Sequence, residues 1–267
     1  MNNFEDKVVV ITGSSMGIGK AIAEKLAAKG ARIVLNSRGE TLLKEVCQDF
    51  TSRGYEVMAV PADVANLEDC KKIVAAAIQH FGRIDLLINN AGINMRGRVE
   101  DIQPEALRIA MDVNYNGALF MTRLCLPHLK ANRGGVLFVS SVAGIHGIPL
   151  HTPYSAAKMA LRALAEGLRA ELFGTGVYVG IAYVGITQNE PGKTIYNGAG
   201  IKIPKEDVSV FGLQPISVVA EGIIKMIGQR KFRHTFTLLG KLNALLNSVA
   251  PELVQYILTR TFLKRGW

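Results

Sequence analysis

Val8-Val9-Val10-Ile11-Thr12-Gly13-Ser14-Ser15-Met16-Gly17-Ile18-Gly19 decides the fold of this chain. An apolar, β-branched run reads as a buried strand, the glycines as a tight turn, and the following Ala21-Ile22-Ala23-Glu24-Lys25-Leu26-Ala27-Ala28-Lys29, closed by Gly30, as a helix. A glycine-rich turn between strand and helix brings backbone N–H groups and the positive helix end to one place, which suits a pyrophosphate. Gly13, Ser14, Ser15, Met16, Gly17, Ile18 and Gly19 are therefore candidate dinucleotide contacts.

The same strand–helix unit repeats outward from that turn. Strands are expected at Arg32 to Leu35, Glu56 to Pro61, Asp85 to Asn89, Val136 to Ser140 and Val177 to Tyr183. Helices are expected at Thr41 to Arg53, Leu67 to Phe81, Pro104 to Leu129 and Tyr154 to Phe173. Strands that are apolar throughout, alternating with helices, predict an α/β fold: a doubly wound, Rossmann-type parallel sheet with helices on both faces. Residues 187–209 show no periodicity and read as a long loop or lid. We expect one domain over residues 1–267, with a C-terminal helical extension.

With 267 residues, one body must both bind and react. Hydrophobic residues make up 49% and charged residues 20%, which excludes disorder and leaves apolar surface in need of a use. The formal charge is +9 and is concentrated at the end, where Lys231, Arg233, Lys241, Arg260, Lys264 and Arg265 face only Glu252. We read no nucleic-acid partner from it. Cys47, Cys70 and Cys125 lack metal or redox spacing, so neither a metal nor a disulfide is expected. No signal-like or membrane-length apolar run opens the chain, and a cytoplasmic location is expected, with peripheral contact at the inner membrane face open.

The T-G-x-x-x-G-x-G turn, Asn89-Asn90-Ala91-Gly92 after the fourth strand, and Tyr154-x-x-x-Lys158 resemble, in order and position, the short-chain dehydrogenase/reductase family, in its 3-oxoacyl reductase or hydroxysteroid dehydrogenase-like branch. The resemblance runs from about residue 6 to residue 185. It implies a nicotinamide dinucleotide, hydride exchange with a carbonyl or secondary alcohol, and a dimer or tetramer. Asp63 and Val64 are then adenine-side contacts, Asn90 lies near the adenosine ribose, and Ala91 and Gly92 complete that wall. Asp63 is also placed to cap the helix starting near Leu67.

Where an NAD enzyme carries an acid on the ribose, this chain has Asn36-Ser37-Arg38. A guanidinium can clasp a 2′-phosphate and Ser37 can add a hydroxyl, so NADP(H) is expected. Tyr154 and Lys158, four apart on a helix, leave one face together, and the lysine charge together with the positive nicotinamide of the oxidised cofactor is expected to lower the phenol's pKa. The resemblance implies that Ser141, rather than its neighbour Ser140, bonds the substrate oxygen. It also implies that Asn114 holds a water leading to Lys158, although Asn114 reads equally as a helix-bending residue satisfied by backbone. Cys125 with His128 is a second nucleophile pattern, read chiefly as packing. His146 and His151 flank the site.

The family pattern breaks at Val184-Gly185-Ile186-Thr187-Gln188-Asn189: the usual proline is missing, and Asn189 stands where a threonine faces the nicotinamide. Gly185 and Thr187 are expected to serve there. Met95, Pro149, Leu150, Ile186 and Tyr196 are expected to line an apolar pocket. Leu161, Leu164, Leu168 and Leu172 form a stripe suited to a subunit contact.

The tail carries Leu238, Leu239, Leu242, Leu245, Leu246 and Val249, then Val254, Ile257, Leu258 and Phe262 after Pro251, with Trp267 at the end. Two amphipathic helices are expected, which pack on the core, meet a second subunit or lie on an anionic bilayer. The expected activity is NADP(H)-dependent hydride transfer with an apolar acyl, sterol or long-chain lipid substrate. A 3-oxoacyl carrier-protein reductase and a non-catalytic NADP(H) sensor are the alternatives.

Overall fold

Strands that are apolar on both faces need cover on both sides, and the chain supplies it. The computed structural model describes residues 3–188, 192–205 and 213–264. Its first half runs β1 (Val8–Thr12), α1 (Gly17–Ala27), β2 (Arg32–Ser37), α2 (Glu40–Ser52), β3 (Val57–Pro61), α3 (Leu67–Phe81) and β4 (Leu86–Asn89). Then come β5 (Met95–Arg96), α4 (Pro104–Met111), α5 (Gly117–Ala131), β6 (Gly135–Ser141), α6 (Thr152–Glu171) and β7 (Tyr178–Val184). The remainder is β8 (Thr194–Asn197), β9 (Lys202–Pro204), α7 (Ile216–Gly228), β10 (Arg233–Thr235), α8 (Leu238–Val249) and α9 (Pro251–Lys264).

Seven strands pair in the order β10-β7-β6-β4-β1-β2-β3, all parallel. In β1, Val9 and Ile11 enter one core with α1, α2 and α7, while Val8 and Val10 enter the other with α3, α5 and α6. This is the doubly wound α/β fold expected, with β1 and β4 flanking the point where strand order reverses. Asp85, buried before β4, accepts from Val8 N at 3.0 Å and pairs with Arg83 at 2.6 Å, joining the two strands at their starts.

Three departures from the expected elements have physical causes. The long helix from Pro104 divides into α4 and α5 around a wide turn, Asp112–Asn116, where Asn114 draws its own side chain onto the backbone. The loop from Thr187 holds a hairpin: β8 and β9 pair antiparallel and β8 joins β5 in parallel, making a second small sheet. α7 and β10 lie outside the expected elements. α7 has a readable stripe (Val219, Ala220, Ile223, Ile224, Ile227), all buried on α1 and the sheet, whereas β10 is three mostly polar residues with no local signal.

The leucine stripe of α6 faces inward. Leu161, Leu168 and Leu172 are buried in the core beside α3 and α5, and the half-buried Leu164 packs against the same cluster, so most of the stripe is spent on the chain's own core. The two tail helices form as expected. Asn189, Arg265 and Trp267 lie outside the described residues.

Candidate active site

A cleft of ≈ 950 Å³ opens along the ends of β1, β2, β4, β6 and β7 and runs to β8, β9 and α9. At one end the turn after β1 is held open by neighbours rather than by caps. Gly13 has φ +62°, and a Cβ on it would lie 2.8 Å from Ala91 Cα. Asn90 Nδ2 donates to Thr12 O at 3.0 Å and Gly13 O at 2.8 Å, and Thr12 Oγ1 accepts from Asn90 N and Ala91 N. The amide of Asn90 thus ties β4 to the turn, while the residue also lines the cleft.

α1 starts at Gly17 without a side-chain cap from Met16 and without an acid in its first turn. A Cβ on Gly17, at φ +60°, would meet no protein atom. A glycine-rich helix start without a side-chain cap from Met16, opening on the cleft, is the cradle that a pyrophosphate needs, so the residues present fit a dinucleotide. Ser15, Met16 and Ile18 line it with Gly13 and Gly17. Ser14 and Gly19 stand behind it. Ser14 Oγ donates to Ile11 O and accepts from Asn36 N, both at 2.9 Å, and Gly19 lies against the Gly13 carbonyl.

At the end of β2, Arg38 is 42% exposed on its side chain and 3.7 Å from Asp63, a loose and solvated ion pair that leaves the guanidinium at the cleft. Ser37 Oγ donates to Gly39 O at 3.1 Å. Asp63 accepts from Ala65 N, and the cap of α3 is instead Asn66, whose Oδ1 accepts from Glu68 N and Asp69 N. Val64, Ala91 and Gly92 continue the wall.

At the other end α6 presents Tyr154 and Lys158. Ser141 hydrogen-bonds Tyr154, whereas the Ser140 hydroxyl is engaged in donating to Lys158 O at 3.1 Å. Lys158 Nζ lies 5.8 Å from the Tyr154 ring centroid and donates to Val139 O at 3.0 Å. Burial pulls the Lys158 ammonium down to about 8. Burial also raises the Tyr154 phenol, and the Ser141 bond opposes this. The protein alone therefore holds Tyr154 protonated, and Lys158 without an oxidised cofactor beside it does not bring the phenol down. A buried ammonium that is itself destabilised does not reverse the cost of burying a phenolate.

Asn114 stands behind this pair rather than in the cleft wall. Its Oδ1 accepts from Ile93 N at 3.1 Å, and Nδ2 donates to Ile93 O and Ala110 O. A Cβ on Gly92 would fall 2.7 Å from Asn114 Oδ1 and 3.2 Å from Lys158 Nζ, so glycine there allows the two to close up.

Where the family proline is absent, a remote segment fixes the backbone. Gln214 N donates to Ile186 O and Gln188 N to Gln214 O, each at 3.1 Å, in a bridge between Thr187 and Gln214. Gly185 and Thr187 line the cleft there. Pro149, Leu150, Ile186 and Tyr196 also line it, but Met95 is buried in the small cluster with Ile102, Ala106 and Ala110. The pocket is not apolar throughout, because Arg96, Lys193, Lys202 and Lys205 rim it. Leu258, Thr261 and Phe262 of α9 close its far side, a role that helical spacing could not reveal. His151 lines the cleft, while His146 Nε2 meets Asn243 Nδ2 at 2.6 Å on α8. Cys125 is fully buried in the core with its thiol pushed up by burial, which removes it as a nucleophile.

Residues 7–200 match the family model for short chain dehydrogenases. The "11-beta-hydroxysteroid dehydrogenase A" of Sesamum indicum is 38% identical over 206 residues, 76% of this chain and 58% of that protein, so the chain spans little more than half of that relative. The "11-beta-hydroxysteroid dehydrogenase-like 2" of Arabidopsis thaliana is 33% identical over 267 residues, 98% of this chain and 83% of that protein. Among solved structures, a short chain dehydrogenase/reductase from Burkholderia phymatum in complex with NAD has a TM-score of 0.83 at 25% identity, covering 95% of this chain and 96% of that one. An alcohol dehydrogenase from Thermococcus sibiricus complexed with 5-hydroxy-NADP has a TM-score of 0.75 at 27% identity, covering 86% and 95%. The family match runs from the first strand to the small sheet beside the cleft, and on that ground the chain belongs to the short-chain dehydrogenase/reductase family of oxidoreductases that act on alcohol or carbonyl groups.

Proposed function

We propose that this chain is an NADP(H)-dependent oxidoreductase acting on the carbonyl or secondary alcohol of a largely apolar substrate, such as an acyl chain, a sterol or a long-chain lipid. The observation that carries it is the meeting of Tyr154 and Ser141 in the same cleft that begins at the glycine turn into α1. Bound there, the nicotinamide supplies or accepts the hydride. Tyr154 Oη gives its proton to the carbonyl oxygen in the reducing direction, which suits a phenol kept neutral by burial. Ser141 Oγ orients that oxygen and stabilises its developing charge. Lys158 holds the nicotinamide ribose and, with Asn114 behind it, forms the return path for the proton. Gly185 and Thr187 border the nicotinamide.

Arg38, with Ser37 beside it and no carboxylate at the end of β2, supports NADP(H) over NAD(H). Asp63, Val64, Asn90, Ala91 and Gly92 form the wall for the adenosine half. The basic rim of Arg96 and Lys202 favours one second reading, a 3-oxoacyl thioester whose carrier is acidic. The exposed leucines and cations of α8 and α9 support a further part of the proposal, contact with an anionic lipid surface that presents the substrate. Exposed residues on the outer side of the Tyr154 helix, such as Met159, remain for a homodimer or homotetramer.

The test is loss of NADPH or NADH absorbance against ketones of increasing chain length and an acetoacetyl thioester. NADPH is expected to be preferred. Arg38→Ala should weaken NADPH by about 10- to 100-fold and leave NADH nearly untouched, the scale of a lost charge-assisted bond. Tyr154→Phe should abolish turnover and keep NADPH fluorescence titration intact. A cofactor that binds with no ketone reduced would favour a sensor, and an active Tyr154→Phe would end the proposed chemistry.

A further inference from the structure

His151 is not used by the chemistry above, yet its ring is fixed more tightly than a loop histidine's. It stands immediately before α6, three residues ahead of Tyr154, and both residues line the cleft. Nδ1 lies 3.0 Å from Met95 O and 3.1 Å from Asn94 Oδ1. A backbone carbonyl only accepts, so Nδ1 must carry the proton. The carbonyl is itself fixed, because β5 pairs Met95 with Tyr196 and Tyr196 N donates to Asn94 O at 2.8 Å.

That bond determines what the other nitrogen offers. With Nδ1 protonated and turned to β5, the neutral ring presents the Nε2 lone pair, and His151 lines the cleft. Among the described residues Nε2 has no hydrogen-bond partner, and it is not one of the buried atoms left without one.

Resting on the proposed carbonyl chemistry, we propose that His151 Nε2 accepts a hydrogen bond from a hydroxyl carried by the substrate one or two carbons from the reacting carbonyl, so that the cleft selects hydroxyketones over plain ketones. Burial, Arg96 and Lys205 hold the imidazole below its ordinary pKa, which keeps the lone pair available at neutral pH. The same two cations disfavour an ammonium as the donor, and the lone pair disfavours a carboxylate or phosphate at this spot. A neutral hydroxyl is the donor that remains. In a cleft whose neighbouring wall is Pro149, Leu150 and Ile186, a hydroxyl without this acceptor would be buried unpaired, and that difference creates selectivity.

The experiment compares octan-2-one, 1-hydroxyoctan-2-one and 4-hydroxyoctan-2-one in the full chain, with NADPH and NADH in parallel. For one hydroxyketone, kcat/KM is expected to exceed that of octan-2-one by about tenfold or more, expressed mainly in KM. His151→Phe should bring that ratio close to one, and His151→Gln, which keeps an acceptor, should restore part of it. A wild type that reduces octan-2-one as well as both hydroxyketones overturns the inference and leaves the proposed function standing. A ratio that survives in His151→Phe also overturns it, since His151 would then only tie α6 to β5. No reduction of any ketone, with bound cofactor, overturns the proposed function and this inference together.

Discussion

Lys158 shows how much a single position in this cleft costs the fold. Its side chain is 4% exposed as a residue, has one backbone acceptor and is pulled down to about 8. An unfolded chain holds that proton up to about pH 10.4. Below pH 8 the folded protein must keep a buried charge that the unfolded chain keeps in water, so the penalty is fully present there. Between pH 8 and about 10.4 the folded state releases the proton first, the unfolded state binds more, and stability rises with pH. Lys158→Met should therefore unfold at higher urea at pH 7, by about 1–2 kcal/mol after the loss of the bond to Val139 O, with the advantage shrinking toward pH 10. Turnover should fall by about 100-fold or more. An equal advantage at both pH values would show that the charge is not the cause.

Among the elements, the turn into α1 is held by close backbone approach, and Gly19 is its least tolerant position. A Cβ there would collide with the Gly13 carbonyl and lie 2.5 Å from Asn90 Nδ2, the atom that fastens the turn to β4. Gly19→Ala should cost about 1–3 kcal/mol of stability and weaken cofactor binding together, measured by thermal unfolding with and without NADPH. Gly17→Ala differs, because its Cβ would enter open space where the pyrophosphate is expected, at a positive φ. It should weaken binding more than it destabilises the empty protein. The spacing of these glycines was legible in the sequence because each acts within a few residues. The roles of Ser14 and Gly19 behind the wall were not, because direction at a turn depends on what it packs against.

At the scale of the whole molecule, the tail helices carry a run of exposed apolar residues. Leu238 is 84% and Leu245 60% exposed, with Val249, Tyr256 and Leu263 also outward, while Leu258 and Phe262 of α9 reach the cleft. Among the described residues no helix is long and apolar enough to cross a membrane. We expect the protein to sediment with vesicles containing phosphatidylserine and not with neutral phosphatidylcholine vesicles, and to be released as salt is raised. The double variant Leu242→Gln/Leu245→Gln should lose that binding with its unfolding temperature kept. Equal sedimentation with both vesicle types, or a concentration-dependent dimer that vanishes in the double variant, would assign this face to something other than anionic lipid.

What the sequence determined by itself was local: strands apolar on both faces, helices that stop at Gly54 and Gly82, and a tyrosine and lysine one helical turn apart. Such patterns repeat every two or 3.6 residues and need no partner to be read. Tertiary structure alone decided what depends on segments far apart meeting. Gln214 clamps the backbone at Thr187, β8 joins β5, the α6 leucines turn inward, and Phe262 reaches a cleft that starts at Gly13. His151 belongs with these, since which ring nitrogen faces the cleft was fixed by a carbonyl 56 residues earlier in the chain.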